Sequence, residues 1–146
     1  MTKDHLAEAV ELFKSGYSCS QSVLAVFSGE SGLPRETANK IASPFGGGIG
    51  GYGKTCGALT GAIMVIGLKY GPSDIADTEA KSLARRKTRE LLEKFEATHG
   101  TCQCSNLVGF DMSKLSEPEI KARQTHFHTL CPKFLETVVV WLEEEL

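Results

Sequence analysis

Apolar residues recur at helical spacing along most of this chain. Leu6, Val10 and Phe13 fall on one stripe of a first helix, which Thr2 is placed to cap and Gly16 to end. A second helix opens near Ser18, carries Val23, Leu24, Val26 and Phe27, and stops at Gly29–Gly32. Pro34 suits the first turn of a short third helix running to about Ala42. Pro44 then breaks the chain, and six of the eight residues from Gly46 to Gly53 are glycine, which predicts a loop. From Cys56 to about Tyr70 follows an apolar helix closed by Gly71–Pro72. Asp74 is placed to cap the longest helix, which runs to about Thr98 with His99 and Gly100 as its stop. The segment Thr101–Asp111 reads as irregular, with room for one helical turn. Ser116 and Glu119 form a capping-box pattern for a helix ending near Thr129, and Cys131–Pro132 starts a last one. The run Val138–Trp141 is β-prone and fits a strand as well as a helix. No segment alternates apolar and polar over a strand length. The pattern therefore predicts an all-α fold: one single-domain helical bundle over residues 1–146, with a glycine-rich loop before the central apolar helix.

Composition fits that picture. With 146 residues, 41% hydrophobic and 23% charged, the chain has the size and apolar content of one self-sufficient domain, so it needs no disulfide framework to fold. A net charge of −2 gives no basic face for nucleic acid, and the Arg85–Arg89 run reads as a solvated helix face. The start of the chain mixes acidic and basic residues without the features of a signal peptide. The most apolar run, Cys56–Leu68, is too short to span a bilayer. These features predict a cytoplasmic protein with reduced thiols and no membrane contact.

Residues 48–55 read GIGGYGKT, which matches the P-loop pattern GxxxxGK[ST] and also contains GxGxxG. Both motifs need a buried strand before the loop and a parallel sheet around it. The preceding ANKIASPFGG is polar and broken by Pro44, so a nucleotide binder using Lys54 and Thr55 is a minor alternative. A flexible loop that lets the backbone pass close to another group fits the context better.

Five cysteines stand at positions 19, 56, 102, 104 and 131, and none pair as CxxC. Zinc-finger, thioredoxin-type and ferredoxin-type spacings are therefore absent. Cys19, Cys56, Cys104 and Cys131 each fall at an expected helix start, where unpaired N–H groups and the helix dipole favour a thiolate. Thiolate is the form that binds metal or attacks a disulfide. Gly57 and Gly61, with Ala58 and Ala62, give the Cys56 helix a small-residue face that permits close packing inside the chain or in a homodimer.

The stretch CGALTGAIMVIGLKYG after the glycine loop, with CSQSVL upstream, CSNLVGFD downstream and a late CP, resembles a family of redox-active proteins labelled by a C-GCAxxG-C-C cysteine pattern. The resemblance runs from about Tyr17 to Cys131, and the family's CGAxxG core stands here as CGALTG. It maps the family's four cysteines onto Cys19, Cys56, Cys104 and Cys131 and leaves Cys102 as an additional thiol. Relatives of that family are similar to a domain associated with a cysteine-bound iron–sulfur cluster. The resemblance thus implies a redox-active protein binding an iron–sulfur cluster through those four cysteines, for electron transfer or redox sensing with an unidentified redox partner. A metal-free thiol–disulfide oxidoreductase with Cys56 as nucleophile is the alternative, and a zinc-binding structural protein comes third. Cys102 and His128, three residues before Cys131, stand as reserve ligands. His126 reads as a surface or cap residue, His99 as a cation near a helix C-terminus, and Asp111 as a cap or turn residue.

Overall fold

Ser18 and Cys56 begin the two helices around which the rest of the chain packs. In the computed structural model, which describes residues 4–146, helix α1 spans His5–Lys14, α2 Cys19–Ser28, α3 Arg35–Ala42, α4 Gly57–Tyr70 and α5 Thr78–His99. The short helices α6 (Cys104–Val108), α7 (Glu117–Ala122) and α8 (Gln124–Leu130) follow, and α9 (Pro132–Glu145) closes the fold. Among the described residues there is no strand, so the architecture is all-α, and the Val138–Trp141 run lies inside α9. Its β-branched residues are accepted there because Phe134, Leu135, Val138, Val139 and Leu142 form one buried helical stripe.

Helices α2 and α4 make the most extensive contact in the fold. The reason is size. A Cβ on Gly61 would stand 2.7 Å from the Ser20 carbonyl oxygen, and one on Gly57 would stand 3.2 Å from the Cys19 Cβ. The small-residue face of α4 is thus filled by α2 within the same chain. Helix α2 is buried along nearly its whole length, including three serines. Each has its hydroxyl satisfied: Ser20 donates to the Ala42 carbonyl at 2.9 Å, Ser22 to that of Ser18 at 2.8 Å, and Ser28 to that of Ala25 at 3.1 Å. Around this pair, α5 contributes Leu91 and Phe95 to the core and α1 contributes Ala9 and Phe13.

Several helix ends differ from the sequence-based expectation. Thr2 lies outside the described residues, and α1 is capped by Asp4, whose carboxylate accepts from the Ala7 N–H at 2.9 Å. The cap of α5 is Asp77, accepting from the Ala80 N–H at 3.0 Å, whereas Asp74 closes a local turn onto the Ala76 N–H. The expected helix from Ser116 to Thr129 is two helices, because Arg123 leaves helical geometry at φ −99°, ψ 13°. The Ser116–Glu119 capping box is present. The irregular stretch after α5 contains α6, one short helix, as the pattern left room for.

Candidate redox site

The four cysteines at helix starts come together. Cys19 is the first residue of α2 and Cys104 the first of α6, while Cys56 and Cys131 occupy the N-cap positions of α4 and α9. All four line one cavity of about 200 Å³, whose walls are mainly apolar and include Phe13, Met112, Ile120 and Phe127. His128 lies on the same wall, its ring edge-on to Phe13 at 5.4 Å between centroids. Cys102 is outside: its thiol faces α5, 3.8 Å from the Leu92 carbonyl oxygen and 3.9 Å from the Glu96 carboxylate.

The glycine loop is what allows this convergence. A Cβ on Gly48 would stand 2.7 Å from the Cys104 Cβ and 2.6 Å from the Lys54 nitrogen, and one on Gly46 would stand 2.6 Å from the Ser18 Cβ. Only bare backbone fits between the starts of α2 and α6. The loop is then fastened to α6 by a two-residue antiparallel bridge: the Cys56 N–H donates to the Cys102 carbonyl at 2.8 Å, and the Cys104 N–H to the Lys54 carbonyl at 2.6 Å. A bridge this short leaves no alternating pattern in the sequence, so it was not legible there.

Most of the loop's amides point inward. The N–H groups of Ile49, Gly50, Gly51, Tyr52, Gly53 and Lys54 all donate to carbonyls of Pro44–Ile49. A P-loop needs those amides turned toward a phosphate, and it needs a strand before the loop. Here the amides are engaged, and a 3-10 turn, Ser43–Phe45, stands where the strand should be. Lys54 extends its ammonium over the Tyr52 ring at 5.7 Å. Among the described residues, Gly47 and Gly48 are the loop positions whose N–H groups meet no protein acceptor, and Gly47 lines the cavity.

Position at a helix start does not by itself make these thiols acidic. Burial pushes the Cys56 thiol up to about 12, although the Ala58 and Leu59 N–H groups face its sulfur and favour the thiolate. Burial likewise pushes Cys104 up to about 12, with the nearby Cys131 adding to it. The neighbouring Cys131 sulfur, together with burial, holds the Cys19 thiol well above its ordinary value, and the neighbouring Cys19 holds Cys131 below. The expectation that each helix start would favour a thiolate is therefore overturned for Cys19, Cys56 and Cys104, where desolvation and neighbouring sulfur outweigh the helix end. Cys102 is also raised, by burial and by the Glu96 carboxylate.

The remaining candidates have structural places. His126 bonds the Val108 carbonyl at 2.9 Å and so ties α8 to α6. His99 lies between the rings of Phe95 and Phe134, bonded to the Thr137 hydroxyl at 2.8 Å. Burial and the nearby Lys133 lower its pKa, so it favours the neutral form and is not the helix-end cation that its position implies. Asp111 caps a 3-10 turn by accepting from the Ser113 N–H. The apolar wall residues Met112 and Ile120 gave no sequence signal, because they read as ordinary core.

Four thiols around one mainly apolar cavity are a donor set that suits soft metals and iron–sulfur centres alike. Among the described residues no three His, Cys, Asp or Glu side chains gather as the shell of a single ion.

No curated protein and no solved structure matches this chain. The family model described as Putative redox-active protein (C_GCAxxG_C_C) matches residues 17–145 and takes in all five cysteines. With four cysteines drawn to one cavity and that model covering most of its length, the chain belongs to the C_GCAxxG_C_C family of redox-active proteins.

Proposed function

We propose that Cys19, Cys56, Cys104 and Cys131 hold an iron–sulfur cluster and that the protein serves electron transfer or redox sensing. The observation that carries this reading is the shared cavity: four thiols from four helix starts line it, and the fifth thiol faces elsewhere. Electrostatics points the same way. Thiols held protonated by burial are poor nucleophiles, but a bound metal supplies the positive charge that makes a buried thiolate favourable. When bound, an iron–sulfur cluster takes up and gives back one electron without moving heavy atoms far.

The chain's own residues would do the rest. The apolar walls exclude water and lower the local dielectric, which favours the less charged redox state of whatever the sulfurs hold. The unpaired amide of Gly47, a residue that lines the cavity, and that of Ala58 at Cys56 are available donors to sulfur, and such hydrogen bonds raise a cluster's potential. The proposed role of the glycine loop is thus mainly steric, with one or two amides contributing directly.

Purification without oxygen tests this reading. Brown protein containing iron and acid-labile sulfide in equal amounts is the expected result. A folded protein that stays colourless and takes up neither after anaerobic reconstitution would overturn it.

A further inference from the structure

We propose that a second cleft, beside the loop-to-α6 bridge, binds a small molecule that joins a planar aromatic ring to one anionic group, a phosphate or a carboxylate. The cleft measures about 750 Å³, within the roughly 300–1,000 Å³ usual for small-molecule sites, and no residue lines both it and the thiol cavity. Its floor is backbone. A Cβ on Gly53 would stand 1.9 Å from the Ser105 hydroxyl, and the Ser105 N–H donates to the Gly53 carbonyl at 3.1 Å. The loop therefore lies directly on the first turn of α6. Cys104, next to Ser105, lines the thiol cavity, so that one turn borders both spaces.

The walls supply both halves of the recognition. Tyr52 is 61% exposed, and among the described residues its ring packs against no other aromatic ring, which leaves a surface for stacking. Lys54 lines the same cleft with its ammonium over that ring, and among the described residues it makes no ion pair. Asp111 is the acid in the cleft, and its carboxylate is already engaged. One oxygen accepts from the Ser113 N–H at 3.1 Å and from its hydroxyl at 2.6 Å, and the other lies 4.0 Å from the Lys114 ammonium. Lys54 thus remains as the uncommitted charge, next to an open aromatic face. The side-chain amides of Gln103 and Asn106, without protein partners among the described residues, add hydrogen-bonding groups. This differs from a P-loop, because the loop amides stay engaged and the anion meets a side chain. Binding here requires no metal centre, so it stands or falls apart from the cluster.

Flavin mononucleotide is the probe, since stacking on tyrosine quenches its fluorescence and its one phosphate supplies the charge. Titration into metal-free protein should give saturable quenching. Lys54→Ala should weaken that binding about fivefold and leave riboflavin, which lacks the phosphate, unaffected. Tyr52→Ala should weaken both flavins about tenfold, while Tyr52→Phe keeps full affinity. Lys40→Ala, on the exposed side of α3, should change neither. Tyr52 and Lys54 are both exposed, so their variants should keep the parent's thermal midpoint, which separates lost binding from lost fold. No saturable quenching at millimolar flavin mononucleotide, or an affinity unchanged in either Tyr52→Ala or Lys54→Ala, would overturn the site. Equal weakening by Lys40→Ala would also overturn it, by reducing the binding to general attraction of an anion. Flavin binding without iron uptake would count against the cluster alone, and iron uptake without flavin binding against this cleft alone.

Discussion

The N–H of Cys56 donates to the carbonyl of Cys102 at 2.8 Å, while the Cys102 thiol turns the other way, onto α5. The fifth cysteine thus serves the site through its backbone and not its sulfur. Cys102→Ser keeps that carbonyl, so iron content should be unchanged and stability should move by less than about 1 kcal/mol in urea unfolding. Serine at Cys19, Cys56, Cys104 or Cys131 should instead abolish or strongly weaken the visible chromophore, one variant at a time. Loss of the chromophore in Cys102→Ser would show that the ligand set is wrong.

Glycines 48 and 50 separate two reasons for glycine. Both have positive φ, at +77° and +63°, but an added Cβ at Gly50 meets open space, whereas at Gly48 it collides with Lys54 and Cys104. Gly50→Ala should cost about 1–2 kcal/mol of backbone strain. Gly48→Ala should cost roughly 1–3 kcal/mol more through overpacking, and should also displace Cys104. Denaturant midpoints and iron content, measured together, distinguish the two. Equal losses in both variants would contradict the close approach at Cys104.

Ile49 is a β-branched residue at φ 67°, 44% exposed at the loop tip. Left-handed backbone is costly for such a side chain, and asparagine tolerates it much better. Ile49→Asn should therefore gain up to about 1 kcal/mol in unfolding experiments. A loss of stability would mean that the isoleucine makes contacts that offset its strain.

The raised thiols fix the sign of a pH effect. In the folded, metal-free, reduced protein Cys56 and Cys104 titrate at about 12 against an ordinary value of 9.0, so the folded state holds protons that the unfolded state has released. Their contribution is complete below about pH 9 and is lost as pH rises toward 12. Urea midpoints should fall between pH 8 and pH 10, and less steeply when both residues are alanine. A midpoint that is flat or rises over that range would contradict the burial of neutral thiols.

Much of the fold was legible because its signals are local. Apolar spacing gave most of the helices, Ser116–Glu119 gave a cap, and the glycine run gave the loop. Mistakes fell where tertiary contact decides. Asp74 and Asp77 are equally good caps by residue type, and the chain turns through the first to start at the second. Arg123 carries no helix-breaking signature, yet the helix breaks there. For the site, helix-start position and family pattern identified four cysteines, and the cavity gathers those four. What sequence could not supply was burial: it raised Cys56 and Cys104 against their helix-start positions, and Cys19 was raised by Cys131, 112 positions away in the chain, together with burial.

X-ray absorption at the iron edge of anaerobically reconstituted protein tests the four-cysteine centre most directly. Bound iron should show a first shell of sulfur alone together with an iron–iron scatterer, and both should disappear in Cys131→Ser while surviving in Cys102→Ser. A first shell of nitrogen and oxygen without an iron–iron scatterer, or a folded protein that retains no iron, would contradict a cluster held by Cys19, Cys56, Cys104 and Cys131.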